Sequence, residues 1–210
     1  HALLKYMYGI DRQPLPEKRW GVYSHRVSYP GHPLLRGINT RFDVPHSRYN
    51  EITRQQLEDA GLTILVESRE GGVHMAVSED QFRMIYFQGH PEYDINSLLK
   101  EYKREVKRYL AGDLSSPPPL PENYFSTEAE VIARQFLGLA GEGKAGGQGA
   151  TSLLEEELGP LLDNTWGDTG KAVVNNWLGL VYQVTNLDRK RQFMDEIDPE
   201  DPLRLRNRKT

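Results

Sequence analysis

The chain has 210 residues, 38% of them hydrophobic, and a net charge of -4 from 26 basic and 30 acidic side chains. That composition supports a core and excludes intrinsic disorder, and with no basic excess it carries no footprint for nucleic acid or an anionic membrane. No apolar run reaches the length of a membrane span, and the absence of cysteine excludes disulfides, Cys-ligated zinc and a thiol nucleophile within these residues.

Residues 1–8 are apolar at helical spacing and stop at Gly9, a helix-ending signal. Trp20 to Tyr29 has strand composition, and Pro30-Gly31-His32-Pro33 reads as a turn. Phe42-Asp43-Val44-Pro45 is a short extended piece, because proline pushes the preceding residue out of the helical region. A short helix over 53–60 ends at Gly61. Three strands follow: Leu62 to Glu67, Val73 to Val77 after Gly71-Gly72, and Arg83 to Phe87. Asp94 is placed to cap a helix whose face is Ile95, Leu98, Leu99, Tyr102, Val106 and Tyr109, ending near Ala111-Gly112. Ser115 to Pro121 is a stiff connector. Residues 127–137 are helical by pattern, and the glycine-rich run Gly138 to Gly149 reads as mobile. Thr169 opens a last helix lined by Ala172, Val173, Asn176, Trp177, Leu180 and Val181. The tail from Asp195 alternates charge and is expected to be solvated and weakly ordered.

The chemistry concentrates at Gly89-His90-Pro91-Glu92-Tyr93-Asp94, where an apolar strand delivers a histidine to its C-terminal end. An imidazole there can take a proton near neutral pH, and a carboxylate two residues on can hold one tautomer and stabilise the cation. The pair alone is weak: a histidine at a strand end is more often a hydrogen-bonded loop residue, and a glutamate near a helix start often serves only the helix dipole. His25, His32 and His74 have no partner visible in the sequence. No pair or trio has a metal-ligand spacing, so no metal is expected. His46 and Arg48 flank Ser47 and rank lower as residues shaping a site.

A collinear series of motifs is more specific. Tyr8-Gly9-Ile10, Lys18, Gly21-Val22-Tyr23, His32-Pro33-Leu34-Leu35-Arg36-Gly37, Pro45-His46-Ser47-Arg48-Tyr49, Gly89 to Asp94, Asn176-Trp177-Leu178 and Val181-Tyr182-Gln183 occur in that order. From His1 to about Asp188 the chain resembles the homoserine O-acyltransferases of methionine biosynthesis, in the class I glutamine-amidotransferase-like superfamily. The resemblance implies an α/β fold, here the C-terminal part of a flavodoxin-like three-layer sheet with C-terminal helices. It implies acyl transfer from succinyl-CoA or acetyl-CoA, through a Cys thioester, to the hydroxyl of L-homoserine. It maps the general base onto His90 and its carboxylate onto Glu92. Lys18 and Ser47 match substrate-contacting positions, and Arg104 one that binds homoserine, where a guanidinium fork suits a carboxylate. By pattern alone, Lys18 and Arg104 are surface residues and Ser47 caps a turn. The resemblance further implies a cytoplasmic homodimer with acyl-CoA as cosubstrate, no bound cofactor, and neither nucleic acid nor membrane as partner.

The family's cysteine would fall a few residues before His1, so a further N-terminal segment or companion chain is expected to complete the sheet and supply the nucleophile. The expected division is a catalytic part over 1–111, a Pro/Gly-rich connector with a possible insertion over 112–168, the family's C-terminal helix over 169–188 and a charged tail over 189–210. Between Tyr124 and Trp166 the resemblance has no counterpart, and a loop is favoured over an insertion at a dimer surface. Two other functions remain open: a glutamine amidotransferase, and a binding or regulatory module that has lost its nucleophile.

Overall fold

The structure, a computed structural model, describes residues 1–141 and 150–206; most of the run Gly138 to Gly149, expected to be mobile, and the end of the tail lie outside the described residues. It is α/β. Two compact units are formed, one from residues 1–19, 23–91 and 166–210, the other from residues 20–22 and 92–165.

The first unit is built on a five-stranded sheet in the order β2-β1-β3-β4-β5. The strands are β1 (Gln13–Val27), β2 (Arg41–Glu51), β3 (Thr63–Ser68), β4 (Gly72–Val77) and β5 (Ile85–Phe87), of which β1 also carries residues 20–22. The pairings β1–β3, β3–β4 and β4–β5 are antiparallel. The register shifts twice along β3, on either side of Val66, and such irregularities bend a strand and raise its twist. The bend is large enough that the two ends of the sheet meet. The backbone N–H of His90, just past β5, donates to the carbonyl of Pro45 on β2 at 2.8 Å.

Helices cover both faces. On one side Leu4 of α1 (Ala2–Tyr8) and Leu57 of α2 (Arg54–Asp59) pack with Ile52, Ile64, Val73 and Tyr86. On the other, Val173, Leu180 and Val184 of α6 (Gly167–Val184) pack with Leu34, Val44, Leu65, Met75 and Val77. Local signals explain the helix ends. Gly9 adopts φ 70° and closes α1 by donating to Lys5, and Thr53 with Gln56 forms a capping box at the start of α2. Asn176 of α6 donates to the carbonyls of Leu34 and Arg36, both at 2.9 Å, joining two motifs that lie far apart in the sequence. The tail from Asp195 is not the solvated segment expected of its charge: Leu203 and Leu205 are buried in the same core, and Asp201 accepts the backbone N–H groups of Leu205 and Arg206.

The second unit holds α3 (Ser97–Leu110), α4 (Thr127–Gly141) and α5 (Ala150–Leu158). Leu98, Leu99, Tyr102 and Val106 form the buried stripe of α3, as their spacing predicts. The helix begins later than Asp94: Asn96 is the cap residue, and the Asp94 carbonyl accepts the N–H of Ser97. The expected loop between Tyr124 and Trp166 instead carries α4 and α5, whose Ala129, Ala133, Leu154 and Leu158 are buried. Tyr124 anchors the start of α3, donating to the Ile95 carbonyl at 2.6 Å and accepting the Leu99 N–H at 3.3 Å.

Gly21 bridges Glu122 with φ 149°, flanked by the bonds Val22 N–H to Glu122 O at 2.8 Å and Glu122 N–H to Trp20 O at 2.9 Å. A Cβ on Gly21 would stand 2.2 Å from the Glu122 carbonyl oxygen, which is backbone and cannot yield cheaply. Gly21→Ala is therefore expected to lose about 3 kcal/mol or more, from strain and disrupted backbone bonds. Urea denaturation measures it, and an unchanged midpoint would contradict this account of the contact.

Candidate functional site

Strand β2 gathers three of the five residues singled out by the sequence. Lys18, on β1, lies with its ammonium 5.8 Å from the ring centroid of Tyr49. Tyr49 follows Ser47 by two residues on β2, so the two side chains leave the strand on the same face. His90 is tied by its backbone to Pro45, two residues before Ser47. All three are half-buried. Glu92 and Arg104 belong to the second compact unit, where both are exposed. Arg104 lies on α3 and pairs with Glu105 at 3.1 Å.

The turn that carries His90 is fixed by its predecessor. Gln88 is buried, and its backbone N–H donates to the His74 carbonyl at 2.9 Å. Its side-chain amide donates to the carbonyls of Ile52 (2.8 Å) and Val73 (3.1 Å) and accepts the Ile52 N–H at 2.8 Å. A buried amide so fully satisfied is costly to move, because each released backbone group would be left without water.

Beneath this turn lies a cluster that the sequence left unpaired. His25 of β1, His46 of β2 and His74 of β4 are all buried, with ring centroids 5.0, 5.5 and 6.2 Å apart. His25 and His74 thus do have partners: His25 meets His46 across the neighbouring strands β1 and β2, and His74 on β4 reaches His46 where the sheet curls. Strand alternation was a usable signal: Tyr23, His25 and Val27 are the inward residues of β1, and Phe42, Val44, His46 and Arg48 are inward on β2. Arg48 Nε donates to His46 at 3.2 Å, and its terminal nitrogens donate to the carbonyls of Asn50 (2.9 Å) and Gly71 (2.7 Å). Glu51 lies 3.6 Å from Arg48 and 2.6 Å from Arg19.

Burial holds these bases neutral. Burial, helped by the nearby Arg48 charge, takes His25 down to about 4 against the pull of its bond to the Tyr23 carbonyl. Burial and the neighbouring histidines hold His46 well below the ordinary range, and His74 likewise, with His90 among the groups acting on it. Arg48 is drawn down to about 10, by burial first and then by Arg19. Among the described residues, no group of three or more His, Cys, Asp or Glu is arranged to hold a metal ion. Nor is any helix among them long and apolar enough to cross a membrane.

The profile of the homoserine O-succinyltransferase family matches residues 1–187. The chain belongs to that family. Homoserine O-succinyltransferases from Methylococcus capsulatus, Nitrosococcus oceani and Thiothrix nivea are 57%, 54% and 52% identical to it over 98% of its length. The chain spans 58%, 58% and 57% of those relatives' own lengths. The family match runs through residues 124–166, so α4 and α5 fall within it.

The buried histidines make stability depend on pH with a definite sign. His25 has its folded value near 4 against 6.5 for a free side chain. Its contribution is complete above pH 6.5 and is lost as pH falls toward 4, because the unfolded chain then binds a proton that the folded one refuses. His25 alone is expected to remove about 2 kcal/mol between pH 7.5 and pH 5. Urea midpoints at the two pH values check this; equal midpoints would mean that the cluster is not neutral and buried.

Proposed function

We propose that the protein carrying these residues transfers a succinyl group from succinyl-CoA to the hydroxyl of L-homoserine. Membership of the homoserine O-succinyltransferase family is the observation that carries the reading. The gathering of Lys18, Ser47 and His90 around residues 45–49 of β2 supports it. In this reading the five-stranded sheet belongs to a flavodoxin-like catalytic domain. Residues 1–111 form part of that domain and residues 169–188 its closing helix.

The chemistry proceeds by covalent catalysis. A thiolate, paired with the His90 imidazolium, attacks the thioester carbonyl of succinyl-CoA, forming a succinyl-enzyme thioester and expelling the coenzyme A thiolate, which takes the proton of that imidazolium and leaves His90 neutral. His90 then accepts the proton of the homoserine hydroxyl as its oxygen attacks the bound thioester. O-succinylhomoserine leaves and the thiolate is restored. Residues 1–210 contain no cysteine, so in this mechanism the thiol comes from outside them. Glu92 orients the His90 imidazole and stabilises its cation. Lys18 and Ser47 contact the substrate, and Arg104 offers a guanidinium fork to the homoserine carboxylate. Water must be kept from the thioester while it waits, or the acyl group is lost to hydrolysis.

The test uses the whole protein with its thiol. Coenzyme A release is expected to continue beyond one equivalent only when homoserine is present. His90→Ala is expected to lower turnover by about 10² to 10⁴, the usual worth of a general base. Full turnover in that variant would remove His90 from the role. Sustained coenzyme A release without homoserine would make the protein a hydrolase instead.

A further inference from the structure

The hydrogen bonds of the histidine cluster admit one arrangement of protons. Arg48 Nε can only donate, so the His46 Nδ1 that receives it carries no proton. Neutral His46 therefore holds its proton on Nε2 and donates it to His25 Nε2, 3.2 Å away. His25 then keeps its own proton on Nδ1 and donates to the Tyr23 carbonyl at 2.8 Å, a group that can only accept. The chain runs one way, from an obligate donor to an obligate acceptor. The two rings stack at 5.0 Å with planes 10° apart. A second proton on His46 would face the Arg48 N–H, and one on His25 would face the His46 N–H.

Gly89 rests on this arrangement. A Cβ there would lie 2.8 Å from His46 Nε2, 2.9 Å from His74 Nδ1 and 2.5 Å from Val44 Cγ1. No side chain fits, and the backbone sits directly on the His46 and His74 rings. His90 follows, with its N–H bound to Pro45, the residue before His46. His46 thus meets the turn twice, through its ring under Gly89 and through the adjoining peptide at His90. Gly71 closes the far side: a Cβ there would come within 2.7 Å of His25 Nε2, and its carbonyl holds Arg48.

We propose that His46 is a positioning residue for His90: the one-way chain from Arg48 through His46 to His25 fixes an uncharged ring beneath Gly89, and that ring sets where the backbone presents the His90 imidazole. The proposal rests on the reading of His90 as the base. Its consequence is kinetic, since displacement of a reacting group by about 1 Å costs about 10²-fold in rate.

Two measurements on the complete acyltransferase test it. The first is nitrogen NMR of the unsubstituted protein with labelled histidine, which reads tautomers whatever the activity. At pH 6 the expected result is His46 neutral with its proton on Nε2 and His25 neutral with its proton on Nδ1. A cationic His46, or one protonated on Nδ1, overturns the proposal. The second compares His46→Phe, which keeps a ring and loses both hydrogen bonds, with His46→Gln, which keeps an amide donor for His25. His46→Phe is expected to lower kcat about 10-fold to 100-fold with KM for homoserine within twofold, and His46→Gln to recover part of the loss. A kcat within twofold of the parent in His46→Phe overturns the positioning role, even where His90→Ala is inactive. Full turnover in His90→Ala overturns the reading beneath it, even where the tautomers are as expected.

Discussion

The arrangement of the first unit depends on the sheet bending far enough for its two ends to touch. The bond from His90 to the Pro45 carbonyl marks that closure, and the buried rings of His25, His46 and His74 fill the space it encloses. A flat sheet in this strand order would leave β2 and β5 on opposite edges, with β1, β3 and β4 between them. Lys18 and Ser47 would still lie on neighbouring strands, but His90 would not reach them. The register shifts in β3 belong to the bend, as does the absence of a side chain at Gly89.

Filling a closed space with imidazoles demands satisfied nitrogens, because an unpaired polar atom in a low-dielectric interior is expensive. Both ring nitrogens of His25 and of His46 are engaged. Within this trio His74 Nδ1 is the exception: it has no hydrogen-bond partner among the described residues and faces the turn at Gly89. Neutrality matters as much as bonding. A further cation beside the buried Arg48 would be costly to hold, whereas neutral rings give mechanical support without adding charge.

Local chemistry was legible in the sequence, and long-range geometry was not. The β3–β4 hairpin could be read because apolar runs flank Gly71-Gly72, and the α3 stripe because Leu98, Tyr102 and Val106 recur at helical spacing. The first half of β1 could not, since Gln13 to Arg19 is polar, carries two prolines and is mostly exposed. Leu203 and Leu205 were hidden in a charged tail where two isolated leucines make no period. The site divided along the same line. The ordered motifs carried the family, while the histidine trio needed strand pairing to set His46 beside His25, 21 positions earlier, and the bend to bring in His74, 28 positions after His46.

The contact between Pro45 and His90 also bears on the order of folding. It closes a long stretch of chain that includes α2, β3, β4 and β5, so its entropy cost falls due before the contact returns anything. Because that cost falls less once the local hairpin and helices stand, we expect the closure to form after them, on the native side of the main barrier. Damage at the closure would then show chiefly as faster unfolding rather than slower folding. The region proposed for catalysis would be the last part of the first unit to assemble and the first to open.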